Sequence, residues 1–200
     1  MTGYLIAFEG LDQSGKETQA RLLAGRLRGA GREVVVLAFP DYETAIGGEL
    51  GRALRGERDY PPDVMQLLYI TNRYEWKPEI VKALEAGKLV LCDRYAASSV
   101  AYGEAHGLDP VWLAETQKFL PAAHLTILLD IAPDTAVKRK AAGRDRYERD
   151  LALLARVRES YRRQAGQPGW LLVDGERSRD AVAAEIATSV ATRLGLPSGS

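Results

Sequence analysis

The chain has little cysteine, no excess charge of either sign and no long hydrophobic run. Its one cysteine, Cys92, rules out a disulfide framework within the chain and makes a reducing compartment the natural setting. Cys92 closes an apolar run, so it reads as a buried structural thiol rather than a nucleophile. The 27 basic residues balance the 27 acidic ones. Nothing global therefore draws the chain to nucleic acid or to an anionic membrane, and any basic patch must be local. The N-terminal MTGYLIAFEG is too short for a spanning helix and has no preceding basic region, so neither signal peptide nor anchor is expected and a cytoplasmic location is. An Asn-Lys-x-Asp segment, usual in guanine-reading switches, is missing. So are repeats, low-complexity tracts and interdomain linkers.

What is present is a regular alternation. The 200 residues, 46% apolar, suit one domain with a sizeable core, expected over residues 1–195, with a small polar tail at 196–200 that should fray. Apolar runs at Tyr4–Phe8, Glu33–Phe39, Lys88–Cys92, His124–Ile131 and Trp170–Val173 read as strands buried on both faces. Helical patterns lie between them at Gly15–Arg28, Ala45–Arg55, Asp63–Glu85, Ala97–His106, Pro110–Leu120, Pro133–Ala142, Arg149–Ala165 and Ser178–Leu194. Pro78 should divide the third helix. This order predicts an α/β fold, a five-stranded parallel sheet flanked by helices in three layers.

In such sheets ligands sit at the carboxyl ends of strands. Strand one runs into Glu9-Gly10, strand two into Pro40-Asp41-Tyr42, strand three into Asp93-Arg94-Tyr95. The segment Gly10, Leu11, Asp12, Gln13, Ser14, Gly15, Lys16, Glu17, Thr18 carries the G-x-x-x-x-G-K spacing between a strand and a helix. Its backbone N–H groups and the helix N-terminus suit phosphate, and Lys16 suits the β and γ phosphates of ATP. The position after Lys16 usually holds Ser or Thr for Mg²⁺. Here it is Glu17, which either holds the ion through water or points into solvent. Thr18 touches the α phosphate or caps the first turn.

Phe8-Glu-Gly-Leu-Asp-Gln-Ser-Gly-Lys-Glu-Thr-Gln19, then Phe39-Pro40, Asn72-Arg73, Asp93-Arg94-Tyr95 and Arg146-Tyr147-Glu148, resemble the thymidylate kinase family in order and spacing. The resemblance runs from about Tyr4 to about Leu194. It implies a P-loop kinase that moves the γ-phosphoryl group of ATP to dTMP, with Mg²⁺, as a homodimer packed through helices near 63–76 and 97–106. It implies that Tyr69 stacks on the base and that Arg73, on the same helix face at i+4, bonds a thymine carbonyl. Cytosine would present an amino donor there instead. It assigns Arg94 to the acceptor phosphate and the transferring group, Asp93 to Mg²⁺ and Asp12 to the acceptor's 3′-hydroxyl and the metal. Phe39, Ser98, Ser99 and Tyr102 would border base and sugar, Tyr102 disfavouring a ribose. Tyr42 stands where some relatives have arginine, and Tyr161 near the sugar in some bacterial members. Taken alone, Tyr69 within LLYI reads equally as core.

The stretch KRKAAGRDRYER at 138–149 is basic. Lys138, Lys140 and Arg149 read as a solvated helix face, whereas Arg144 and Arg146 flank the turn at Gly143. Some relatives carry a catalytic arginine directly after the phosphate-loop aspartate, and others supply arginines from a lid. Gln13 is neutral, so this chain resembles the second group. Arg144 and Arg146 are then catalytic with Lys16 and Arg94, and Arg139 stacks on adenine with 174–177 covering the base. Another acceptor, or a nucleotide-binding switch without chemistry, are the competing readings.

Overall fold

The computed structural model describes residues 3–139 and 150–196. The strands are β1 (Tyr4–Glu9), β2 (Val34–Ala38), β3 (Leu89–Asp93), β4 (Leu125–Asp130) and β5 (Trp170–Asp174). All neighbours pair in parallel, in the order β2-β3-β1-β4-β5. The helices are α1 (Lys16–Gly29), α2 (Ala45–Leu54), α3 (Pro62–Glu75), α4 (Lys77–Glu85), α5 (Ala96–Ala105), α6 (Pro110–Glu115), α7 (Pro133–Arg139), α8 (Leu151–Ala165) and α9 (Arg179–Leu194).

Alternation along each central strand sends side chains to opposite faces of the sheet. Ile6, Phe8, Leu89 and Leu91 pack with Ala20, Leu23 and Leu27 of α1 and with Val182, Ile186 and Val190 of α9. Leu5, Ala7, Val90 and Cys92 pack instead with Ile80 and Ala83 of α4. Leu128 meets α5 through Ala101 and Ala105, and α8 through Leu153, Leu154 and Val157. The connection from β1 therefore leaves on one face and the one from β3 on the other. Their carboxyl ends open a crevice, which is where such sheets hold ligands. Among the described residues no helix is long and apolar enough to cross a membrane.

Three details differ from the sequence reading. β1, β3 and β4 are buried except for one end residue each, but the edge strands β2 and β5 keep exposed positions such as Leu172, because each has a neighbour on one side only. Helix α6 stops at Glu115 rather than Leu120. Beyond it the Thr116 hydroxyl and the Gln117 amide both donate to the Leu113 carbonyl, competing with the backbone ladder. Leu196, expected in a frayed tail, is 7% exposed and belongs to the core. Pro78 divides the long helix as expected, with Trp76 at the joint.

The segment after β2 is tied to α3. Asn72 accepts from the Asp41 N–H at 2.9 Å and donates to Thr44 Oγ1 at 2.8 Å and to Glu75 Oε2 at 2.9 Å. Thr44 Oγ1 donates to Glu75 at 2.6 Å and caps α2 by accepting from the Gly47 N–H at 3.0 Å. Gly47 is where this turn allows no side chain, since a Cβ there would lie 1.6 Å from the Asp41 carbonyl oxygen. We expect Gly47→Ala to push residues 41–44 off α3 and to destabilise the fold by about 1–3 kcal/mol, read as a lower denaturant midpoint at unchanged slope.

Candidate active site

The phosphate loop joins β1 to α1 at the crevice. Gly10 has φ 138, and a Cβ there would lie 2.5 Å from the Leu129 carbonyl oxygen, so the strand end and β4 approach as only glycine allows. Gln13 also has positive φ, 63, and Gly15 is the N-cap residue of α1. Lys16 is 6% exposed and turns back into the loop, donating to the carbonyls of Leu11 at 2.8 Å and Gly10 at 3.2 Å. Burial, with Arg94 second, lowers its pKa to about 8. Ser14 buries its hydroxyl without a hydrogen-bond partner. Thr18 is exposed in the first turn of α1.

Arg94 faces this loop from the end of β3. Its φ of 64 lies in the region that side chains rarely adopt. Its Nη2 pairs with Asp12 Oδ1 at 2.5 Å and donates to the Tyr102 hydroxyl at 3.2 Å. Its Nη1 donates to Ser98 Oγ and to the Tyr161 hydroxyl, both at 3.3 Å. The guanidinium also lies over the Tyr102 ring, 5.2 Å from the centroid. Behind it Glu9 is completely buried. Glu9 Oε2 accepts from Ser98 Oγ at 2.6 Å and from Tyr161 at 3.0 Å, and Oε1 accepts from the Tyr95 N–H at 2.8 Å. Burial raises the pKa of Glu9, opposed by the Ser98 hydrogen bond and by Arg94 and Arg73. Burial also works against the charge of Arg94, but Asp12, Tyr102 and Tyr161 outweigh it and hold its pKa well above the usual arginine value.

A cavity of about 300 Å³ opens beside Arg94, between α3, α5 and the end of β2. Asp12, Phe39, Tyr42, Tyr69, Arg73, Arg94, Ser98, Ser99 and Tyr102 all line it. Met65, Gln66 and His106 line it too and were missed. Helical spacing could have found them, since Gln66 precedes Tyr69 by three residues and His106 follows Tyr102 by four. Arg73 is 2% exposed and donates from Nη1 to Ser99 Oγ at 2.7 Å, while its Nε is buried without a partner. On the other side of the phosphate loop, Arg139 donates to the carbonyls of Gln13 at 3.3 Å and Gly175 at 3.0 Å, joining that loop to 174–177.

The geometry thus sets the phosphate loop and a half-open second pocket on either side of one arginine. A family model described as thymidylate kinase matches residues 8–186. The chain belongs to the thymidylate kinase family. The thymidylate kinase of Plasmodium falciparum is 34% identical over 189 residues, 94% of this chain and 90% of that one. The human thymidylate kinase is 34% identical over 187 residues, 92% of this chain and 88% of that one. Among solved structures, the thymidylate kinase of Candida albicans, an enzyme of broad substrate specificity, matches with a TM-score of 0.83 at 27% identity, covering 98% of this chain and 94% of that one.

Tyr161, expected near the sugar, stands elsewhere, and Glu17 takes the solvent-facing of the two places left open for it. Tyr161 is 1% exposed and does not line the cavity, because its hydroxyl is taken up behind Arg94 by Glu9 and Ser98. Glu17 is exposed on α1 and ion-paired with Arg21 at 2.7 Å, one turn on, which holds its carboxylate at the surface. Of the three carboxylates considered for Mg²⁺, Glu17 faces away, Asp12 is paired with Arg94, and Asp93 fits the ion. Its Oδ1 is buried beside the loop without a hydrogen-bond partner, and burial raises its pKa against the pull of Lys16 and Arg94. Among the described residues no cluster of three acidic, His or Cys side chains could hold a metal. One carboxylate plus phosphate oxygens and water is a usual Mg²⁺ set. Arg144 and Arg146 lie outside the described residues.

The lysine gives a pH test. Below about pH 8 Lys16 is charged in both the folded and unfolded chain, and its burial cost stands in full. From pH 8 to the ordinary lysine value of 10.5 the unfolded chain binds the proton that the folded chain has lost, so stability rises with pH across that window. Lys16→Met removes this dependence. Near neutral pH the variant should be more stable than the parent by on the order of 2–3 kcal/mol in denaturant titrations, a gain that vanishes toward pH 10.5. Kinase activity should fall at least about a hundredfold.

Proposed function

We propose that Arg94 is the junction at which this chain moves the γ-phosphoryl group of ATP to dTMP. The observation that carries this is its position, paired to Asp12 of the phosphate loop while lining the second cavity. An oxygen of the dTMP phosphate attacks the γ phosphorus. The bond to the β–γ bridging oxygen breaks, and ADP and dTDP form. That acceptor oxygen is already ionised, so no general base is assigned and positioning with charge neutralisation does the catalysis. Arg94 lowers the repulsion between two approaching anions and can follow the charge as it spreads over the transferring group. Lys16 leaves its loop carbonyls for the β and γ phosphates, and Gly10–Thr18 supply N–H groups around them. Mg²⁺, held by Asp93 and phosphate oxygens, would neutralise charge on the triphosphate.

In the acceptor cavity Tyr69 stacks on the base, a contact worth about 1–3 kcal/mol that does not choose among bases. Arg73 makes the choice, donating to the thymine carbonyl where cytosine would oppose it with a donor. Phe39, Ser98 and Ser99 border base and sugar, Tyr102 crowds the 2′ position, and Tyr42 reaches the phosphate with its hydroxyl. Arg139 stacks on adenine. Arg144 and Arg146 close over the triphosphate from a lid at 138–149. The neutral Gln13 supports that arrangement, and closure would exclude water. A cytoplasmic homodimer packed through α3 and α5, without nucleic-acid partners, fits the balanced charge and the single reduced thiol.

A coupled assay across dTMP, dUMP, dCMP and thymidine tests this reading. We expect dTMP to lead and dCMP to trail by about a hundredfold or more in kcat/KM. Equal rates on dTMP and dCMP, or dominant activity on the nucleoside, would overturn it. Arg73→Ala should raise the KM for dTMP about 10- to 100-fold and leave that for ATP within about twofold. Equal loss toward both substrates would remove Arg73 from the base.

A further inference from the structure

We propose that Gln117 is a positioning residue for base selection, fixing the guanidinium of Arg73 through an amide that can sit only one way round. Gln117 is 5% exposed and lies in the turn after α6. It does not line the acceptor cavity, so it acts through Arg73 rather than on the ligand. Its Nε2 donates to the Leu113 carbonyl at 3.0 Å and to the Ala96 carbonyl at 3.1 Å. Flipping the amide would face its oxygen against those two carbonyls and turn its N–H groups toward a cation. The two backbone acceptors therefore decide the orientation, and Oε1 is left aimed at Arg73 Nη1, 3.4 Å away.

That nitrogen is then surrounded. Nη1 also donates to Ser99 Oγ at 2.7 Å and to the Tyr69 carbonyl at 3.3 Å. Three acceptors from three elements converge on one corner of the guanidinium and fix its plane. All three are neutral, and among the described residues no carboxylate lies within ion-pair distance of Arg73. Glu9 acts on Arg73 only from beyond that distance, so the guanidinium keeps donors for a carbonyl oxygen on the base. A carboxylate at 117 would have taken them. Neutral acceptors behind and an acceptor-bearing ligand in front make a reader of carbonyl edges, which rejects an amino edge.

This rests on the assignment of Arg73 to the base, and Arg73→Ala is measured alongside to separate the two. In Gln117→Met the acceptor is gone at similar volume, and in Gln117→Asn it is withdrawn by one carbon. In either folded variant we expect the KM for dTMP to rise about tenfold and that for ATP to stay within about twofold. The ratio of dCMP inhibition constant to dTMP KM should fall by about the same tenfold factor. A merely structural role would lower folded yield or both affinities without moving that ratio. If Arg73→Ala loses dTMP alone while both Gln117 variants keep the parent ratio, the positioning role is wrong. If Arg73→Ala loses dTMP and ATP equally, the base assignment itself has failed.

Discussion

A guanidinium ion cannot be taken from water into a protein interior without partners for its charge and its donors. This fold buries one of them, Arg73, and largely buries another, Arg94, close enough to repel it. Their environments differ. Arg94 is paired with Asp12 and backed by Glu9 through Ser98 and Tyr161, so its charge is balanced beside the phosphate loop. Arg73 has only neutral acceptors, and burial lowers its pKa. One cation is thus held in an ion pair beside the phosphate loop, and the other is held by neutral acceptors at the wall of the second pocket. Much of the surrounding architecture follows from keeping both in place. α5 begins where the Glu9 carboxylate gathers N–H groups, and α3 is tied to the segment after β2 through Asn72 and Glu75.

The phosphate loop shows a related tension. Lys16 is buried against backbone carbonyls at the cost of a lowered pKa, and Gln13 and Arg94 hold positive φ on the two sides of the crevice. Such features cost stability and persist where the scaffold over-determines them. Here the scaffold is the close approach of β1 and β4 at Gly10 and the hydrogen bond from the Arg94 N–H to the Phe8 carbonyl. The strain lies in residues at the carboxyl ends of β1 and β3, while the strands below are regular.

Much of the fold was legible because its signals are local. A buried strand reads as four to six apolar residues, a proline marks the division of a helix, and the phosphate loop is contiguous in sequence. Where the reading failed, a contact distant in sequence or a choice of face had overridden the local signal. Helix α6 ends early where the Thr116 and Gln117 side chains take the Leu113 carbonyl that its ladder would have used. Leu196 joins the core although its neighbours are loop-forming residues. For Glu17 the sequence left two places open, and α1 selects the outward one beside Arg21.

The sequence by itself determined the order of strands and helices, the phosphate loop and the helical face shared by Tyr69 and Arg73, because each depends on spacing along one segment. It also carried the family. Only the tertiary structure decided that Tyr161 stands behind Arg94 rather than against a ligand, that Glu9 is the buried anion supporting it, and that Gln117, 44 residues from Arg73, shares its guanidinium. The reason is physical. Spacing fixes which side of an element a residue occupies, but compensation of a buried charge is settled by whichever groups the packed layers bring within hydrogen-bond distance.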